Sequence, residues 1–400
     1  MLWAGTGHDM DCIDFAQRLL RIPSLPGQEE DLAALVQSEM TRLGFDEVRR
    51  DDAGNVIGRI RGEGTAPSIM FNTHLDHVDP GDVSRWPSPP YGGELREGRL
   101  VGRGAVDIKG PLASQVYGVA QLVHSGRRPP GDVYVTAVVQ EEVGGLGAWW
   151  LCRRQHFDCV VVGEPSSCRL RRGHRGRAEF QVIARGRSSH ASVPEQGLNP
   201  LEMVARFILA LPRVPRVSHP ELGAGSAAPT LIATDQTSPN VIPGEVRLTI
   251  DWRTVPGEDP AEVLTSLRRI AAGLTPPGGS LLVEPVVQTL RTYTGLTVSL
   301  PVGHPWFLLP ADHGAVLAAQ RVLEKVMDEP EPAGLWRFAT DGGHFAQAGM
   351  LVLGFGPGDA GAAHTVGESI AVEELRLGQA AVAALASGLP QHLSSVLAKR

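Results

Sequence analysis

The stretch VYVTAVVQEEVGG, residues 133–145, sets the reading of the whole chain. Val133–Val139 is a short apolar run, the form taken by a strand buried on both faces of an α/β sheet. Two adjacent carboxylates, Glu141 and Glu142, follow it, and then the glycine pair Gly144-Gly145. Like charges repel, and burying them is costly unless something compensates them. Ligand sites in open α/β sheets lie beyond the carboxyl ends of the strands. The other strand ends therefore indicate what balances this pair.

Each ends in similar chemistry. After Ile69–Phe71 comes Asn72-Thr73-His74-Leu75-Asp76. After the short apolar run Cys159–Val162 come Gly163 and Glu164. After Leu351–Phe355 a glycine-rich loop leads to His364. LVGRGAVDIKG places Asp107 in a glycine-flanked loop just ahead of a helix expected over Pro111–His124. Two histidines and at least three carboxylates at one rim suit a pair of divalent metals, with zinc the leading candidate. Such a pair shares a bridging carboxylate and a water. One glutamate then binds metal while its neighbour is free to take a proton, which accounts for the Glu141-Glu142 doublet.

The middle of the chain has a different rhythm. Strands are expected at Ala178–Arg187, Pro229–Thr234, Glu245–Trp252 and Leu281–Thr289, with helices at Asn199–Leu211 and Pro260–Leu274. That β-α-β-β-α-β order is the split βαβ pattern. The fold class is thus α/β, a catalytic domain over 1–177 and 292–400 with an inserted α+β, ferredoxin-like domain over 178–291.

Bulk properties exclude several classes. The 400 residues carry a net charge of -7, so the molecule offers no basic field for nucleic acid. The opening MLWAGTGHDMDCID has no charged segment followed by a long apolar one, so neither a signal peptide nor a membrane span is expected. Cys12, Cys152, Cys159 and Cys168 form no paired motif and suit a reducing cytoplasm. The run Arg169, Arg171, Arg172, Arg175, Arg177 at the expected hinge reads as a solvated face, with contact to an anionic substrate or a partner subunit as the alternative. His77 reads as structural; His8, His124, His156, His219, His304, His313 and His392 have no context that singles them out. Thr340, Asp341 and His344 fall in a possible substrate loop.

NTHLDHVDPGD, GRGAVDIKG, VVQEEVGG, VVGEPS, GRSSHASVPEQGLNP, SPNVIPGEVRLTIDWRTVPGED and GAAHTVGES, taken in order, resemble the zinc-dependent amidohydrolases that include acetylornithine deacetylase, succinyl-diaminopimelate desuccinylase, aminoacylase-1 and glutamate carboxypeptidase. The fold this implies is the zinc-exopeptidase-like one, with the insert as lid and dimerisation domain. The resemblance implies that His74 and Glu164 bind one metal, Glu142 and His364 the other, and that Asp107 bridges them. It implies Asp76 as the orienter of His74, Glu141 as general base and later acid, and His190 as oxyanion stabiliser, in family dimers often in the partner's active site. Asn240 and Arg253 would hold a substrate carboxylate, and a cis peptide would follow Asp107. Two divalent ions, Zn2+ with Co2+ or Mn2+ as substitutes, a homodimer through the lid and a small carboxylate-bearing substrate follow from the same likeness. RGHRGR (172–177) and WRFATDGG (336–343) are similar to a less characterised bacterial branch, and GRGAVDIKGPL and GFGPGD to enzymes that release lysine or ornithine from a carrier protein. The expected activity is hydrolysis of an amide bond in an N-acyl amino acid or short peptide. Dipeptidase or aminopeptidase action, release from a carrier protein, and a non-catalytic scaffold stand as alternatives.

Overall fold

The computed structural model describes residues 11–327 and 332–398; His8 and the opening segment MLWAGTGHDM lie outside them. The chain divides into two compact units. One runs up to His174 and includes Leu290–Val298 and the chain from Phe307 onward; the other comprises Arg175–Thr289 and Ser299–Trp306.

The first unit is built on a six-stranded sheet of Glu47–Arg50 (β1), Val56–Ile60 (β2), Ile69–His74 (β3), Val133–Val138 (β4), Cys159–Val162 (β5) and Leu351–Gly354 (β6), in the order β1-β2-β4-β3-β5-β6. β4, β3, β5 and β6 run parallel, while β2 is antiparallel to β4 and β1 to β2. Every residue of β3, β5 and β6 is buried, which is why these strands read as continuous apolar runs. Their parallel direction brings the carboxyl ends of four strands to one edge.

The helices Cys12–Leu20, Lys109–His124 and Val372–Leu397 pack against one another. Gly118 permits the close approach of the last two, because a Cβ there would meet the Gln379 carbonyl at 2.7 Å and Val382 at 2.8 Å. A second cluster with Phe157, Trp336, Phe345 and Met350 builds another part of the core around β5 and β6. A small sheet of Glu94–Arg96, Arg99–Val101 and Ser369–Ala371 joins the chain before Asp107 to the chain after His364.

The second unit is an antiparallel sheet ordered Ser226–Thr234, Glu245–Thr254, Gly176–Arg185, Ser280–Pro285, with helices Pro200–Ala210 and Pro260–Leu274. Its chain order is β-α-β-β-α-β, the ferredoxin-like arrangement. Both helices start at a capping side chain, Asn199 or Asp259, followed by proline. Alternate residues of Glu245–Thr254, including Val246, Leu248, Ile250 and Trp252, enter a core shared with Phe180, Phe207 and Leu267.

Two expectations change. Leu281–Thr289 is not one strand: Ser280–Pro285 pairs within the sheet, whereas Val287–Arg291 forms a ribbon with Thr297–Pro301. Residues 175–177 and 299–306, expected with the catalytic domain, group with the second unit, where Gly303-His304 pairs with Ala178 and Arg177, while 290–291, expected in the insert, group with the first. Among the described residues, no helix is long and apolar enough to cross a membrane.

Candidate metal centre

Five donor side chains converge where the parallel strands of the first unit end. His74, the last residue of β3, places Nε2 3.1 Å from Asp107 Oδ1 and 3.5 Å from Glu164 Oε1. His364 Nε2 lies 3.2 Å from Asp107 Oδ2 and 3.1 Å from Glu142 Oε1. The two oxygens of Asp107 thus face two different imidazoles. Ligand atoms of His74, Asp107 and Glu142 all lie within 4.8 Å of one another, as do those of His74, Glu141 and Glu164.

Asp76 secures this edge from behind. Its two carboxylate oxygens accept the backbone N–H groups of Glu141 and Glu142, each at 3.0 Å. Gln140 takes a left-handed φ of 57° ahead of the two glutamates. Asp76 is also 3.3 Å from Nδ1 of His74, which donates to the Asp76 carbonyl at 3.0 Å. One buried aspartate therefore orients an imidazole and fixes the glutamate turn. The peptide after Asp107 is cis.

Electrostatics follow from burial and crowding. Burial pushes Glu141 well above the usual carboxylate range; His74 opposes this, while Asp341, Glu164 and Glu142 add to it. Burial and then Asp107 raise Glu164 to about 7, against the pull of His74. Burial would raise Asp107 too, but hydrogen bonds from His364 and His74 hold it below its ordinary value. His364 is raised to about 10 by Asp107 and Glu142. His74 also keeps its proton more tightly than usual: burial works against this, and Asp107, Asp76 and Glu164 override it.

A cavity of 240 Å³ opens over the cluster. Asp107, Glu141, Glu142, Glu164 and His364 form its polar wall; Phe338, Ala339, Ala360 and Ala363 form the other.

The remaining sequence-derived residues are placed as follows. His190, Asn240 and Arg253 belong to the second unit. His190 and Asn240 are neighbours there: His190 pairs with Val241, and the Ala191 N–H donates to the Asn240 carbonyl at 2.9 Å. Arg253 is engaged by Asp251, which also holds Arg177. Thr340 and Asp341 do not form an open loop. Thr340 is buried against His174, 2.9 Å from its Nε2, and Asp341 and His344 lie beneath the Gly145 turn, where a Cβ would meet them at 2.5 and 2.7 Å. The arginine run is only partly a solvated face: Arg172 is buried and donates to the carbonyls of Ala333 and Leu309. His77 is structural, accepting the Ser24 N–H at 2.9 Å. The sequence did not single out Glu368, whose carboxylate binds the Asp107 loop; its position four residues beyond His364 was the available signal.

The model of peptidase family M20/M25/M40 matches residues 70–388, which takes in every one of these side chains. The chain belongs to that family. Membership makes it a metal-dependent hydrolase. Over 368 residues it is 28% identical to the uncharacterised protein YgeY of Escherichia coli K12, covering 90% of both chains. It is 34% identical to a succinyl-diaminopimelate desuccinylase of Rhodopseudomonas palustris over 269 residues, 61% of this chain and 67% of that one. Among solved structures, the Bacillus cereus aminopeptidase PepT aligns at TM-score 0.75 and 21% identity, covering 94% and 98% of the two chains. Bacillus subtilis YXEP, described as a dinuclear metal-binding peptidase of the M20 family, aligns at 0.67 and 16%, covering 94% and 96%.

The donor set fits divalent cations of such a family member. Imidazole and carboxylate are borderline-to-hard ligands suited to these ions. Five carboxyl groups, of Asp76, Asp107, Glu141, Glu142 and Glu164, crowd two imidazoles in a largely buried site. The protons held by His74 and His364 offset only part of that charge; cations offset more of it.

Proposed function

We propose that this protein hydrolyses the amide bond of a small N-acyl amino acid or short peptide bearing a free carboxylate, at a dinuclear centre of zinc or a similar divalent ion. The observation that carries this reading is Asp107, with one oxygen toward His74 and the other toward His364 beside the buried Glu141. In this reading His74 and Glu164 hold one ion, Glu142 and His364 the other, and Asp107 serves both. When bound, the ions supply Lewis acidity that polarises the scissile carbonyl and acidifies the attacking water.

The chain's own residues do the rest. Glu141 accepts a proton from the water at its carboxylate and returns it to the leaving amine; its place on the cavity wall beside the donor cluster suits both steps. Asp76 keeps the His74 ring and the Glu141 backbone in register. His190 is the oxyanion donor. Its Nδ1 is engaged by the Ser192 N–H at 3.1 Å and the Ser192 hydroxyl at 2.7 Å, which leaves Nε2 as the nitrogen for a developing negative charge. Asn240 and Arg253 receive the substrate carboxylate.

The second unit supports a homodimer. Ser226–Thr234 lies at the edge of its sheet and is mostly exposed, with Leu231 69% and Ile232 56% accessible. An apolar edge with open backbone groups pairs readily with a second copy. The four free cysteines are consistent with a reducing cytoplasm.

The test is amine release from N-acetyl, N-succinyl and N-formyl amino acids and from free-amine dipeptides, with and without chelator. Chelator-sensitive cleavage of the N-acylated set supports the deacylase reading. Cleavage of free-amine dipeptides alone would replace it with a peptidase one.

A further inference from the structure

The loop that presents Asp107 is organised around one buried carboxylate that lies outside the donor cluster. The Glu368 side chain is fully buried. Its Oε1 accepts the backbone N–H groups of Val106 at 2.8 Å and Asp107 at 3.0 Å. Its Oε2 accepts the Gly104 N–H at 3.2 Å and Arg103 Nη1 at 2.6 Å. Charge-assisted hydrogen bonds of this kind are about twice as strong as neutral ones. The main chain of Glu368 is fixed as well: its carbonyl accepts the Gly102 N–H at 3.0 Å, and Ser369 pairs with Val101. Arg103 is itself anchored, its guanidinium over the Trp86 ring at 5.2 Å and its N–H on the Pro90 carbonyl at 2.8 Å.

Glu368 lies four residues beyond His364, and the segment between them uses left-handed backbone, with φ of 61° at His364 and 83° at Gly367. Regular secondary structure does not hold such a segment. The carboxylate instead ties it to the loop of Asp107. We infer that Glu368, braced by Arg103, is the positioning residue that sets Asp107 against His364. This rests on the dinuclear reading above. A residue that served only to stabilise the loop would affect folding; one that sets the spacing affects the metals even where folding is intact.

The variants separate the two roles. Glu368→Gln keeps an oxygen for Val106 and Asp107 but turns an amide N–H2 toward Arg103 and Gly104, setting donors against donors. Glu368→Gln with Arg103→Met removes the stranded charge. Wild type and both variants would be titrated with cobalt(II) alone, reading stoichiometry by calorimetry, the visible spectrum of the loaded protein, and the melting temperature of the metal-free protein. Wild type is expected to bind two equivalents. Glu368→Gln should bind one of them about 10–100-fold more weakly, the scale for groups that orient ligands, and show an altered spectrum. The double variant should regain melting temperature without regaining affinity or spectrum. Recovery of all three together would overturn the proposal, as would two equivalents and a wild-type spectrum in Glu368→Gln. If wild type itself binds fewer than two, the dinuclear reading falls first and this inference with it.

Discussion

The two imidazoles that face Asp107 are held in opposite ways. His74 ends a fully buried strand flanked by parallel neighbours, its side chain 2% exposed and its Nδ1 fixed by Asp76. His364 follows a short 3-10 turn, sits at a left-handed φ, and is 49% exposed. One imidazole is thus part of the sheet's core, and the other sits on an exposed loop. Burial belongs to the first imidazole and exposure to the second.

The largest expected effect lies between the halves. Glu141→Gln should lower kcat by about 10²–10⁴-fold, the usual contribution of a general base, while both halves still load metal. Wild-type kcat in that variant would remove Glu141 as the base. Next comes Asp76→Asn, which weakens the acceptors for two backbone N–H groups and the restraint on His74. Metal affinity at the buried half should fall about 10–100-fold, and at the other half less, since there Asp76 holds only the Glu142 backbone. Equal weakening of both equivalents in calorimetry would show that the halves are not separable.

The third prediction concerns His364→Asn. It should abolish one equivalent of metal and leave the other. His74→Asn should depress both. Reversal of that order would break the comparison.

The smallest effect is in pH dependence without metal. Glu164 is raised from 4.5 to about 7, so its contribution is complete below 4.5 and is lost as pH rises through 7. His364 is raised from 6.5 to about 10, so its share is complete below 6.5 and is lost as pH rises through 10. Melting temperature of the metal-free protein should therefore decline in two overlapping windows, the buried half first. His364→Asn should flatten only the upper window.

Legibility in the sequence followed the same division. β5 could be bounded to the residue because four consecutive buried apolar side chains leave no ambiguity. His74, Glu141, Glu142 and Glu164 announced themselves by following such runs. His364 had no strand beside it, only a glycine-rich loop, and family likeness was needed to single it out. The three-residue strands around Arg99–Val101 carry no readable period, so the sheet that includes Ser369 stayed hidden, and Glu368 with it. Thr340 and Asp341 look like a polar loop by composition; only their burial against His174 and the Gly145 turn shows otherwise. The break after Pro285 is likewise a matter of strand pairing that no local pattern records.

The parallel register of β3 against β4 and β5 has a consequence for how such a chain can change its length. Residue for residue, Asn72 stands beside Thr136 and Val162. Substitutions that keep each strand apolar leave that alignment intact. Inserting or deleting one residue inside a strand turns every later side chain to the opposite face and carries the terminal donor away from its partners. Growth and loss of sequence are therefore confined to the connections, whereas the strands can change their letters but not their count.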